Sequence, residues 1–284
     1  MADVCITEYT DPGCPWAYSA EPFRRRLSWL YGDALEWRVR MVGLAASPEE
    51  YAEKGFTPAR QAAAFRTISR EHRMPIDTRE RERMAATIPA CRAVIAARLH
   101  APEATRALLR RLRIRNFSGE LLDTPQTIAG AAADAGLDPA QLQAWAEGDD
   151  VTAALEEDMA ASRAPLPAAR ILDDKLANWS GGRRYTCPSY EIVRISDGVK
   201  IAVPGFQPFA VYDVITANLV PGLERREPAS AAEEVLAWTG TPLATQEVAV
   251  VRDISFDEAH EELSRVADLR PLGYDGFWTL RAAA

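Results

Sequence analysis

The sequence predicts an α/β fold in which a long helical insertion splits a small sheet. Three observations predict it. A strand, a helix and an alternating strand follow one another within the first 41 residues; strand patterns then vanish until about residue 181; a hairpin pattern returns beyond it.

The first strand is the run Val4-Cys5-Ile6-Thr7-Glu8-Tyr9, ended by Asp11-Pro12-Gly13, whose residues favour turns. A helix begins near Cys14-Pro15, because proline fits the first helical turn, where its missing N–H would have no partner. Ala20, Phe23, Leu27 and Leu30 recur at helical spacing, and Trp16 extends the same face. Leu35, Trp37, Val39 and Met41 alternate with Glu36, Arg38 and Arg40, the pattern of a strand with one face in a core. So short a strand–helix–strand unit implies a parallel pair with a right-handed crossover.

From Ser47 to Gly181 the signals are helical. Ile88, Cys91, Val94, Ile95 and Leu99 form one stripe, and further helices are expected over Glu103–Asn116, Pro125–Ala135, Pro139–Glu147 and Val151–Ser162. The run Arg79-Glu80-Arg81-Glu82-Arg83 reads as a solvated helix face with internal ion pairs. Strands return at Tyr190–Ile195 and at Val199, Ile201 and Val203, joined by Ser196-Asp197-Gly198. Pro208 then opens a helix through Leu219. The last segment reads as three short helices and a hairpin within Leu269–Leu280, a small winged-helix-like module. The expected divisions are therefore 1–45, 46–181, 182–227 and 228–284.

Composition narrows the function. Among 284 residues, 48% are hydrophobic and 26% charged, which suits a globular protein and excludes wholesale disorder. No apolar run approaches the roughly 18–20 residues of a membrane span. Met1-Ala2-Asp3-Val4 opens no secretory signal, so a cytoplasmic location is expected. The net charge of −8 and pI near 5.1 argue against nucleic acid as a partner. Residues 229–284 carry ten acidic residues against four arginines, and the third helix there sets Asp257, Glu258, Glu261 and Glu262 against Arg265. Phosphates would be repelled, so the module reads as a packing or partner-contact element. Four scattered cysteines are no disulfide scaffold. His72, His100 and His260 show no ligand spacing, and no metal site is expected. Gly181-Gly182 lies in a loop before arginines and is not a phosphate-binding turn.

The pointed feature is Cys14, a cysteine after a strand and loop at a helix N-terminus. Unpaired N–H groups there favour the thiolate. The bland alternative is a small buried residue that happens to precede a helix. Cys5 and Cys91 read as core packing. Asp11, just before Cys14, would oppose thiolate formation by its charge.

Asp11-Pro12-Gly13-Cys14-Pro15-Trp16-Ala17-Tyr18 resembles the active-site segment of DsbA-family thioredoxin-like proteins. The FrnE-like group, with Asp-Pro-x-Cys-Pro-Trp-Cys-Tyr, and the related 2-hydroxychromene-2-carboxylate isomerases, with serine at the first cysteine, are the branches it is most similar to. Tyr185-Thr186-Cys187-Pro188-Ser189-Tyr190 sits where that family places its cis-proline loop, and Gly205-Phe206-Gln207-Pro208 opens the last core helix. The resemblance covers about residues 3–222. It implies a thioredoxin-like fold with a helical insertion, Cys14 as nucleophile, a cis bond at Pro188, and Cys187 near the Cys14 sulfur. It also implies that Pro15, Trp16, Ala17, Tyr18 and Thr186 surround the substrate, under a helical lid whose Phe56, Phe65 and Phe117 line the pocket.

Ala17 replaces the family's second cysteine, which normally resolves the mixed disulfide. Resolution then falls to Cys187 or to an external low-molecular-weight thiol. Two other readings stand beside this one. Cys14 could orient a thiol cofactor for isomerisation or transfer on a small aromatic or polyketide-like substrate, or the chain could bind a partner without catalysis. No tightly bound cofactor is expected, and glutathione or mycothiol is the expected co-substrate. The 30 arginines against Lys54, Lys175 and Lys200 point to a GC-rich bacterial genome, which brings mycothiol into consideration. The expected partners are a small-molecule thiol or thiol-bearing substrate, with a homodimer as the assembly considered.

Overall fold

The computed structural model describes residues 2–178 and 182–282. Strand β1 (Val4–Thr10) is central. It pairs in parallel with β2 (Leu35–Met41) and antiparallel with β5 (Ser189–Arg194), which carries β6 (Lys200–Val203) on its outer side. Both faces of β1 are covered, which is why six of its seven residues are buried and its polar Glu8 and Thr10 must find partners inside.

The crossover from β1 to β2 uses two helices where periodicity suggests one. Helix α1 (Pro15–Ser19) stops at Ala20, and α2 (Glu21–Tyr31) starts a new axis. Pro22 has no N–H to continue the ladder. The break turns Trp16 outward to 39% exposure, off the face that buries Leu27 and Leu30.

The insertion holds α3 (Pro48–Glu53), α4 (Pro58–His72), α5 (Ile88–His100), α6 (Thr105–Phe117), α7 (Pro125–Asp134), α8 (Pro139–Ala146) and α9 (Asp149–Ser162). Helices α3 and α4 fall in the stretch expected to be helical, without bounds of their own there; Ser47 and Thr57 cap them by accepting from the N–H groups of Glu50 and Arg60. Helix α5 is buried nearly all round, from Ala90 and Cys91 through Ala93 to Ala97, because α6, α8 and α9 pack about it. The stripe expected for it is too narrow, and Leu99 at its end is exposed. Arg79–Arg83 is not helical: Arg79 pairs with Asp77, Arg83 with Asp123, and Arg81 reaches the Asn116 side chain, so the charges tie a loop to its surroundings. The all-helical description also fails at its end, where β3 (Leu176–Asn178) pairs antiparallel with β4 (Arg183–Tyr185). The expected boundary at Gly181 lies outside the described residues.

Helix α10 (Phe209–Leu219) follows β6 as Pro208 suggests. The C-terminal segment forms α11 (Ala232–Thr239), α12 (Thr245–Arg252), α13 (Phe256–Val266) and a hairpin of β7 (Ala267–Leu272) and β8 (Asp275–Leu280). It shares one core with the sheet: Val4, Ile6, Leu27 and Trp29 pack in the same cluster as Val235, Leu236, Val248 and Trp278. A buried charge network reinforces the join. Glu247 of α12 accepts from Arg25 of α2 at 2.6 Å and from Arg110 of α6, while Arg113 of α6 pairs with Glu8 of β1 at 3.0 Å and with Glu21 of α2.

Candidate active site

The loop after β1 is held from beneath by a buried carboxylate. Asp11 accepts from the N–H groups of Gly13 (2.7 Å) and Leu44 (2.9 Å), from the Thr87 hydroxyl (2.8 Å) and from the Cys91 thiol (3.4 Å). Cys91 is therefore part of this network and does more than fill the core. Gly13 is required by the close approach: a Cβ there would lie 2.7 Å from a Thr87 methyl. Burial pushes the Asp11 carboxyl above its ordinary pKa, against the pull of its donors.

This loop delivers Cys14 to the N-cap of α1, with extended backbone and a carbonyl that accepts from Tyr18 N–H. The Cys187–Pro188 bond is cis, and the loop that contains it lies against the helix start. The Cys14 thiol donates to the Cys187 carbonyl at 3.3 Å. The pKa of Cys14 lies below its ordinary value. The largest cause is a hydrogen bond from the Cys187 thiol; burial opposes it, the Ala17 and Trp16 N–H groups assist, and the charge of Asp11 opposes. Burial drives the Cys187 thiol well above its ordinary value, and the hydrogen bond to Cys14 and the charge on Cys14 add to that. Both cysteines are free thiols. The arrangement thus holds one thiol ready to ionise and a second, held protonated, on the wall of the same cavity.

Both sulfurs line a cavity of about 280 Å3. Of the residues expected around the substrate, Pro15, Trp16 and Thr186 line it. Ala17 packs beneath in a small cluster with Tyr9, Cys14 and Cys187. Tyr18 points away: its hydroxyl donates to the Pro75 carbonyl at 3.0 Å and its ring stacks on Phe117, so neither it nor Phe117 reaches the cavity. Pro188 does not line the cavity; its cis bond follows Cys187 in the loop. Phe56 and Phe65 do line the cavity, and α3 and α4 form the lid.

Sequence reasoning missed Tyr51, Gln61 and Arg184 on the cavity wall. The Tyr51 hydroxyl is pushed well above its ordinary pKa by burial, with Asp11, Cys14, Cys91 and Cys187 adding to the effect, so it stays a proton donor beside the sulfurs. Its one sequence signal is an aromatic five residues from Phe56, against which it packs edge to face. Arg184 lies on β4 among many arginines and gives no sequence signal. Among the described residues no cluster of His, Cys, Asp or Glu could hold a metal ion, and no helix is long and apolar enough to cross a membrane.

Comparison with known proteins bears on this geometry. The chain is 26% identical to the ClpXP adapter protein SpxH of Halalkalibacterium halodurans, over 96% of this chain and 87% of that protein. Among solved structures it is similar to the cytosolic disulfide reductase DsbM of Pseudomonas aeruginosa, with a TM-score of 0.53 and 17% identity over 76% of this chain and all of that one. The probable DsbA oxidoreductase SCO1869 from Streptomyces coelicolor gives a TM-score of 0.54 and 17% identity, covering 80% of this chain and all of that one. These likenesses bear out the expected thioredoxin-like fold with its helical insertion. The model of the DSBA-like thioredoxin domain matches residues 5–165, from β1 through the insertion. With more than half of its length matched and its cysteine at the helix start, this chain belongs to the DsbA-like thioredoxin family.

Proposed function

We propose that this protein performs thiol–disulfide exchange at Cys14, with Cys187 as the resolving thiol in place of the family's second motif cysteine. The placement of the two cysteines on one cavity, with the Cys14 thiol donating to the Cys187 carbonyl at 3.3 Å, carries the reading. The Cys14 thiolate attacks a substrate disulfide, bonds to one sulfur and releases the other as a thiolate, which takes a proton. While Cys14 is anionic, its charge and its hydrogen bond hold the Cys187 proton in place. Capping Cys14 removes that charge and weakens the bond, so Cys187 ionises more readily once it is needed. It then attacks the Cys14 sulfur, releases the second thiol and leaves a Cys14–Cys187 disulfide, the substrate having gained two electrons. Two molecules of a low-molecular-weight thiol, glutathione or mycothiol, restore the dithiol and leave as their own disulfide. Such chemistry fits a reducing, cytoplasmic compartment.

Intact-mass spectrometry after mild oxidation, with and without glutathione and with peptide mapping, tests this. The expected result is a loss of two hydrogens mapped to Cys14 and Cys187, converted in Cys187→Ser to a stable thiol adduct on Cys14. A Cys14 that accepts alkylating reagent yet forms neither product would overturn the exchange reading.

A second reading has its own support. The likeness to an adapter protein runs over 96% of the chain and so includes the C-terminal module that lies beyond the family match. A partner-binding role for that acidic module is compatible with redox chemistry at Cys14.

A further inference from the structure

Arg184 stands apart from the other buried arginines. Arg25, Arg110 and Arg113 each face a glutamate. Arg184 is 3% exposed, and among the described residues it pairs with no carboxylate. Its Nη1 donates to the Tyr185 carbonyl at 2.7 Å, and its buried Nε has no partner. The guanidinium lines the Cys14 cavity and is close enough to Cys187 to favour that thiolate. Arg163, a second cation, lies near enough to feel the Arg184 charge, with Glu50 acting on it in the opposite sense. Asp11, the carboxylate near the sulfurs, is committed to four donors beneath the loop. A buried cation with an idle donor, facing a cavity beside a nucleophile, is a receptor for an anion that arrives with the substrate.

The geometry points to Arg184 as the carboxylate-binding subsite of the cavity, so that the thiol exchanged at Cys14 is one that carries a carboxylate, in preference to an uncharged thiol. This rests on the exchange reading for its chemistry but not for its binding. It separates the two co-substrates considered: glutathione bears carboxylates, whereas a thiol borne on neutral sugar rings offers Arg184 nothing. Two donors of a planar guanidinium to one carboxylate give a charge-assisted contact, for which a preference of about tenfold is expected. The apolar walls at Trp16, Phe56 and Phe65 would take the methylenes.

The experiment compares two symmetrical disulfides of equal chain length, those of 3-mercaptopropionate and of 3-mercaptopropanol. The rate of adduct formation on Cys14 is followed by intact mass in the wild type, Arg184→Met and Arg184→Lys. Calorimetric binding of S-methylglutathione, which keeps the carboxylates and cannot exchange, is measured on the same three proteins. The expected result is faster reaction with the carboxylate disulfide by about tenfold, loss of that preference in Arg184→Met, partial retention in Arg184→Lys, and parallel losses in S-methylglutathione affinity. Equal rates for the two disulfides in the wild type would overturn the subsite, as would an equal slowing of both in Arg184→Met with binding unchanged, which marks a purely structural arginine. Failure of both disulfides to react while S-methylglutathione binding still depends on Arg184 would overturn the exchange reading and sustain the subsite. Absence of both reaction and binding overturns both.

Discussion

At Cys14 two opposing influences meet within a few ångströms. The Cys187 thiol and the N–H groups of Ala17 and Trp16 favour the thiolate, while burial and the Asp11 carboxylate disfavour it. The donors win, and the thiol titrates below its ordinary value. The sign for Asp11 follows. As pH rises through the raised pKa of Asp11, a negative charge appears beneath the loop and makes Cys14 harder to ionise. Asp11→Asn removes that charge, so the pH profile of Cys14 alkylation by iodoacetamide is expected to move to lower pH. The same substitution leaves four donors sharing a single amide oxygen, so thermal stability should fall while reactivity at neutral pH rises several-fold. A profile that stays in place or moves to higher pH would show that Asp11 acts on the loop alone.

At the scale of elements, α6 is joined to its neighbours by a row of arginines as well as by its buried leucines. Arg106, Arg110 and Arg113 fall three and four residues apart and so share one face, which meets Glu8, Glu21 and Glu247 from three other segments. Removing one member of a fully buried pair leaves its partner uncompensated. Glu247→Ala is therefore expected to cost about 3–5 kcal/mol in urea denaturation, with the Cys14 alkylation profile unchanged because the network lies apart from the cavity. A loss below about 1 kcal/mol would mean that the arginines find water instead. This network also shows where sequence reading stops. The strands of the four-stranded sheet, the insertion helices from α5 to α9, the β5–β6 and β7–β8 hairpins and the cysteine loop are legible because periodicity, turn residues and a motif are local signals. Charge pairing of Glu8 with Arg113 and of Glu247 with Arg110, each across more than a hundred residues, has no local signal. Neither does the lone Arg184, nor the turning of Tyr18 away from the site, which depends on Phe117 offering a ring to stack on.

Over the whole molecule, the acidic module behaves as part of the core and not as a tethered appendage. Three observations argue for this. Trp29 of α2 donates to the Glu227 carbonyl at 2.8 Å and meets Trp238 of α11 edge to face. Val248 and Leu263 are fully buried in the cluster that also contains Val4 and Ile6. Glu247 neutralises Arg25 and Arg110 from within the module. Contacts of this kind make the free energy of the module inseparable from that of the sheet, so unfolding should be one cooperative event. The expected observation is a single thermal transition, with amides of α12 and β1 exchanging hydrogen at the same slow limit. A chain ending at residue 227 would expose Leu27 and Trp29 and strand two buried guanidinium groups. It should therefore aggregate, or lose its cooperative transition and its Cys14 reactivity profile together. Two separate transitions in the intact chain, or a shortened chain that keeps its melting temperature, would mean instead that the module docks on a core already complete without it.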